Sequence, residues 1–221
     1  MAEIKDPTEG WQPYLQSLPP VYAGFSLDNE PGEAGPIQRI FAYRNDECRR
    51  SVTIVYDRST VEFMLRVRVG LIEFCDVRFI HPERDRFEAS LQTGLLQLLD
   101  SLQCCIPERM ETLFRNKKLH EWDYESVLPL QSHGFSRVVC PANCVQVTNG
   151  SYLIIDYSDY ACDSSLRFFF NIFRDDFYAE LLVRGVPQAT KLFDSPNLKE
   201  LESRLRGSLD SGLRDLRDRV S

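Results

Sequence analysis

The chain predicts an α+β protein built from two tandem homologous units, each a roughly four-stranded antiparallel sheet backed by a C-terminal amphipathic helix. Three observations lead there: a self-match along the chain, strand-period alternation in both halves, and a leucine stripe closing each half. Residues 37–102 set against 151–216 at a constant offset of 114 agree at thirteen of sixty-six positions, where common residues at ordinary frequencies would give roughly four. The matches fall where a fold needs them. Ile40, Tyr43, Cys48, Ser51, Phe63, Val69, Phe79 and Pro82 match Ile154, Tyr157, Cys162, Ser165, Phe177, Val183, Phe193 and Pro196. Upstream the offset slips by a few residues, and Trp11 and Gly24-Phe25-Ser26 still find Trp122 and Gly134-Phe135-Ser136. The recurrence marks an internal duplication, with units at 1–102 and 122–221 about a connector at 103–121. Duplicated units commonly pack about a pseudo-twofold axis.

The strands follow from period two. In TVEFMLRVRV, Val61, Phe63, Leu65, Val67 and Val69 share one face while Glu62, Met64, Arg66 and Arg68 share the other. IQRIFAY, SVTIVY and DVRFI complete the first set, and SYLIIDY, SLRFFFNIF, DFYAELLV and a weaker TKLF form the second. Each set ends in a helix. Phe87, Leu91, Leu95, Leu99 and Leu102 make one stripe; Leu201, Leu205, Leu209, Leu213 and Leu216 make the other. Pro82 and Pro196 suit a first helical turn, where the missing N–H has no partner to lose. Met110, Leu113, Phe114 and Trp122 have helical spacing, so 103–121 is expected as a connecting helix.

Composition bounds the function. The net charge of −7 is concentrated in residues 1–36, which hold six acids and one lysine, and residues 37–102 balance ten arginines with ten acids. Near-neutral folded parts lack the basic footprint of a nucleic-acid binder. No apolar run reaches the length of a membrane span, and the acidic N-terminus lacks the apolar region of a secretory signal. Seven cysteines, two of them adjacent, do not make a disulfide framework. These features predict a cytoplasmic protein with reduced thiols, monomeric or homodimeric, without a membrane partner.

Candidate chemistry is sparse. His133, Cys140, Cys144 and Cys162 are zinc-type ligands, but Cys-x3-Cys without a second pair does not make a structural site, so neither a metal nor a cofactor is expected. Cys48 and Cys162 read as equivalent packing positions. Phosphate-loop, nucleophile-elbow, dinucleotide and zinc-protease motifs are all missing. Arg66 and Arg68, with Arg39, Arg44, Arg49, Arg50 and Arg58 nearby, could make an anion-binding face in the first unit; the second unit has Glu180 and Leu182 at the matching positions. Leu182, with Tyr178 and Phe169, puts apolar residues on a face expected to be wet, which favours coverage by a partner. The leading expectation is a non-enzymatic interaction or adaptor module that holds another protein on a sheet face or inter-repeat groove. The alternative is a small-molecule or anion-binding protein, or a hydrolase, with a pocket between the repeats.

Overall fold

The computed structural model describes residues 9–148 and 150–221. It is α+β, with two seven-stranded antiparallel sheets, and divides into a unit ending at Gln103 and a unit from Cys104 to Ser221. The first eight residues of the acidic N-terminal segment lie outside the described residues.

The first unit opens with α1 (Gln12–Ser17) and the short strands β1 (Val21–Tyr22), β2 (Phe25–Asp28) and β3 (Gly32–Ala34). Four long strands follow: β4 (Ile37–Asn45), β5 (Arg50–Asp57), β6 (Glu62–Val69) and β7 (Ile72–His81), and then α2 (Arg84–Gln103). The sheet order is β1-β2-β4-β5-β6-β7, with β3 beside β4. Gly-Phe-Ser carries the chain from the tight β1–β2 turn into β2. Tyr22 pairs with Phe25, and Ala23 and Gly24 both have positive φ, at 48° and 78°, the backbone that suits a two-residue turn to strand twist. Phe25 then enters the core fully buried. The Tyr43 hydroxyl donates to the Pro19 carbonyl at 2.6 Å and ties this entry segment to the sheet.

One face of the four long strands is apolar. Tyr43, Val52, Val67 and Phe74 form one row across it, and Phe41, Ile54 and Leu65 form the next. The buried stripe of α2, Phe87, Leu91, Leu95, Leu99 and Leu102, belongs to the same core; burying one such side chain contributes about 1.5–3 kcal/mol. β7 departs from regular pairing, because Met64 faces Ile80 while Arg66 faces Cys75. The surplus residues bulge, which re-aims side chains. Phe79 is buried with its ring against the helix at Gly94, where an added Cβ would meet Cζ at 2.7 Å. At the far end of α2 the buried Arg50 guanidinium donates to the Leu102 carbonyl, placing a cation at the negative end of the helix dipole.

The second unit repeats the same strand order. β8 (Gln131–Ser132), β9 (Phe135–Val139), β10 (Val145–Thr148) and β11 (Ser151–Asp159) precede β12 (Ser164–Asn171), β13 (Asp176–Val183) and β14 (Val186–Ser195). The sheet runs β14-β13-β12-β11-β9-β8 with β10 beside β11. His133 and Gly134, at φ 50° and 82°, make the β8–β9 turn, and the Tyr157 hydroxyl donates to Pro129 O at 2.7 Å. Phe177 faces Ser195 while Ala179 faces Thr190, so β14 bulges at the matching place. The closing helix, Leu198–Val220, buries its leucines as the spacing predicts. Its last carbonyls are capped from a different strand end: Arg184 Nη2 donates to Val220 O at 3.1 Å.

Four local expectations differ from what is observed. Each sheet has seven strands, because strands of two to five residues carry too little sequence to display a period. The connecting helix over 103–121 is instead a 3-10 turn at Pro107–Arg109, a single α-turn, α3 (Thr112–Arg115), and another 3-10 turn at Leu119–Glu121. Lys118, left-handed at φ 56°, interrupts the run. The last helix, α4 (Leu198–Val220), starts after Pro196, with Asn197 as N-cap accepting from the Glu200 amide at 3.0 Å, while α2 starts at Arg84 rather than Pro82. Val61 is not the first residue of its strand but a turn residue with φ 60°.

Two stability changes follow from this geometry. Gly94→Ala should cost about 1–3 kcal/mol through overpacking on Phe79. Val61→Gly should stabilise by about 1 kcal/mol, by relieving a left-handed β-branched residue. Urea denaturation of each variant checks both signs.

Candidate functional site

The arginines expected to make an anion site are already engaged. β6 and β7 bring Arg66 and Arg68 to one carboxylate: Arg68 Nη2 lies 2.7 Å from Glu73 Oε2, and Arg66 Nη1 lies 3.5 Å from Glu73 Oε1. Asp28 similarly takes Arg39 at 2.6 Å and Arg44 at 3.3 Å. Arg58 reaches Glu33 at 3.4 Å. Arg50 belongs to the helix side of the sheet, capping α2. These five arginines, Arg39, Arg44, Arg58, Arg66 and Arg68, share three carboxylates in solvent-accessible ion pairs, and each such pair contributes little.

Leu182 stands on β13 between Ser165 and Pro187. It is 7% exposed, so it is not an apolar side chain offered to solvent. The same face of this sheet carries a row the sequence did not single out. Asp156, Arg167, Glu180 and Ala189 stand in register across β11 to β14. Asp156 is fully buried, as are Ser158 and Ser165 nearby, and Arg167 is nearly so. Ser158 Oγ donates to Asp156 Oδ1 at 2.8 Å, and Arg167 Nη2 lies 3.6 Å from Glu180 Oε2. Asp156 Oδ2 has no hydrogen-bond partner. Burial pushes the Asp156 carboxyl up to about 7, against the opposing pull of the Ser158 hydroxyl and the Arg167 charge. A carboxyl held near neutrality is the type of group that general acids and bases use. Here it is sealed from solvent and from any substrate.

Of the three histidines, His120 lies 3.6 Å from Glu121 Oε1, and the other two form small polar groups of which neither is a nucleophile–base–acid relay. Ser90 Oγ lies 2.9 Å from His81 Nε2, but the same ring nitrogen faces Arg78 O at 3.2 Å and the hydroxyl also donates to Arg86 O at 3.1 Å. His133 Nε2 lies 2.8 Å from Asp210 Oδ1, and Ser132 Oγ donates to that same oxygen at 3.4 Å, not to the imidazole. A triad needs the histidine between the other two. Asp210 is held below the usual carboxylate range chiefly by the hydrogen bond from His133.

The zinc-type residues are dispersed among separate partners. His133 goes to Asp210, Cys140 Sγ donates to the Tyr124 hydroxyl at 3.7 Å, and Cys162 Sγ donates to Asp159 O at 3.6 Å. Cys48 makes the matching contact to Asn45 O at 3.8 Å. Cys144 is buried beside Cys105 instead, a neighbour 39 positions away in the chain that no local spacing reveals. Among the described residues no group of three or more His, Cys, Asp or Glu could hold a metal ion, and no helix is long and apolar enough to cross a membrane.

No family model matches the chain, and comparison with curated proteins and with solved structures finds no match.

The buried carboxyl makes stability depend on pH with a defined sign. Below the unfolded value of 3.8 Asp156 is neutral in both states; above it the unfolded chain ionises while the folded one does not until about 7. Wild-type stability should therefore decline relative to Asp156→Asn between about pH 4 and 7, at no more than about 1.4 kcal/mol per pH unit, and run parallel to it above. Urea titrations of both proteins across this range measure the difference.

Proposed function

We propose that the protein is an internally duplicated, non-enzymatic interaction module that holds another polypeptide along the free edge of its second sheet. The observation that carries this reading is the first half of β14. Val186-Pro187-Gln188-Ala189-Thr190 pairs on one side with β13 and ends the sheet order. It bears no charge, and Val186 is 58% exposed. An edge whose own residues carry no charge lacks one common guard against strand addition, in which backbone hydrogen bonds give affinity and alternate side chains give specificity. Pro187, however, has no N–H to donate, and Arg219 donates to the Gln188 side chain. The equivalent edge in the first unit is guarded by Glu73 and Asp76 on β7. Leu192, also exposed on β14, extends the apolar footprint.

The matched turns, tyrosine–proline hydrogen bonds and bulges support the duplication. The misaligned Ser, His and Asp groups support a role without catalysis. Pairing of Arg66 and Arg68 with Glu73 weighs against the anion-binding alternative, and the near-neutral folded units weigh against nucleic acid.

Native mass spectrometry of the protein isolated gently from its source should show a co-purifying polypeptide in fixed ratio. Val186→Asp combined with Leu192→Asp should weaken that complex about tenfold or more while leaving the melting temperature close to wild type, since both side chains are exposed. A bare chain, or a complex indifferent to the two charges, would overturn the reading.

A further inference from the structure

The second unit holds a sulfur cluster that the interaction reading leaves unused. Cys105 lies in the segment between α2 and the 3-10 turn at Pro107–Arg109, and Cys144 immediately follows the 3-10 turn at Pro141–Asn143. The two segments are fastened together. The Cys105 amide donates to Ala142 O at 3.1 Å, and Asn143 closes its own turn by accepting from the Cys140 amide at 2.8 Å. Cys105 Sγ donates to the Met110 thioether at 3.6 Å. Exposure falls in order along the three neighbouring cysteines: Cys104 is exposed, Cys105 half-buried and Cys144 buried. The buried Tyr152 hydroxyl accepts from the Glu111 amide at 3.2 Å, tying the chain just beyond Met110 to β11.

We propose that Cys105 and Cys144 are a reversible dithiol–disulfide pair, with Cys105 the sulfur that meets a peroxide oxidant and Cys144 the one that resolves it. A hydrogen bond from the Cys144 thiol holds the Cys105 thiol below its ordinary range, against burial and the nearby Glu108 carboxylate. The thiolate is the reactive form, and an accessible thiolate beside a resolving cysteine is the arrangement redox-sensitive thiols share. In the first step the Cys105 thiolate attacks one peroxide oxygen. The O–O bond breaks, and the departing hydroxide takes up the proton Cys105 released, leaving as water. In the second step the Cys144 sulfur attacks the Cys105 sulfenic sulfur. The S–S bond forms, the S–O bond breaks, and the hydroxyl leaves as a second water with the Cys144 proton. Peroxide gains two electrons and the two thiols lose them. A thiol reductant reverses the step by exchange.

The test uses the full chain treated with stoichiometric hydrogen peroxide, followed by alkylation of remaining thiols and peptide mass mapping. The expected result is a loss of two hydrogens, a Cys105–Cys144 linked peptide, intact thiols at Cys48, Cys75 and Cys162, and reversal by dithiothreitol. Cys144→Ala should stop at a Cys105 sulfenic acid that dimedone traps. Because replacing a buried thiol can disturb folding, Cys105→Ser supplies a second reading: Cys144 should then survive the same peroxide as a free thiol. A link through Cys104 or Cys140 in place of this pair, recovery of both cysteines as alkylated thiols while Cys104 oxidises, or oxidation of Cys144 at undiminished rate in Cys105→Ser would each overturn the proposal.

Discussion

The rest of each unit depends on burying one sheet face under a single long helix. A helix presents its leucines at every third or fourth position, so Leu91, Leu95, Leu99 and Leu102, or Leu205, Leu209, Leu213 and Leu216, must meet strand residues that alternate with period two. The two periods cannot stay in step along ten-residue strands that twist. The last strand of each sheet accommodates the mismatch with a bulge, and the bulge turns one phenylalanine, Phe79 or Phe193, inward to fill the space under the helix. The glycine in α2 is a consequence of the same constraint, since the Phe79 ring comes too close for any side chain there.

The opposite sheet faces are under weaker constraint, and they diverge accordingly. In the first unit, arginines bridged by Glu73 and Asp28 cover that face. In the second, aspartate, serine and arginine are buried on it among Leu153, Phe169 and Leu182. A buried carboxyl must either find partners or give up its charge. Asp156 does both in part, accepting from Ser158 while resisting ionisation.

Most of the core was legible from periodicity. The leucine stripes, the alternation from Phe63 to Val69 and the repeated Gly-Phe-Ser all declare themselves locally, because each is fixed by the geometry of one element. The positions that were not legible depend on distant parts of the chain. Nothing in LIIDYS distinguishes a buried Asp156 from a solvated one, since its surroundings come from β12 and β13 as well as its own strand. Arg50 reads as one more surface arginine until α2 ends beside it. The segment 103–121 shows the reverse error: Met110, Leu113 and Phe114 have helical spacing, yet Pro107 and the left-handed Lys118 break the chain into single turns. Cys105 and Cys144 are brought together by two turns that carry no shared motif.

The capping arginines have a consequence for interchange between the two halves. One helix end is neutralised from position 50, the other from position 184, and the equivalent positions are Ser164 and Gly70. Each solution is complete only with its own pair of strands. A recombinant chain that exchanged β4–β5 for β11–β12 would leave one helix terminus facing two guanidinium groups and the other facing none. Two units of one strand order that cannot trade such segments are separate folding problems, free to differ in sequence while the backbone plan stays shared.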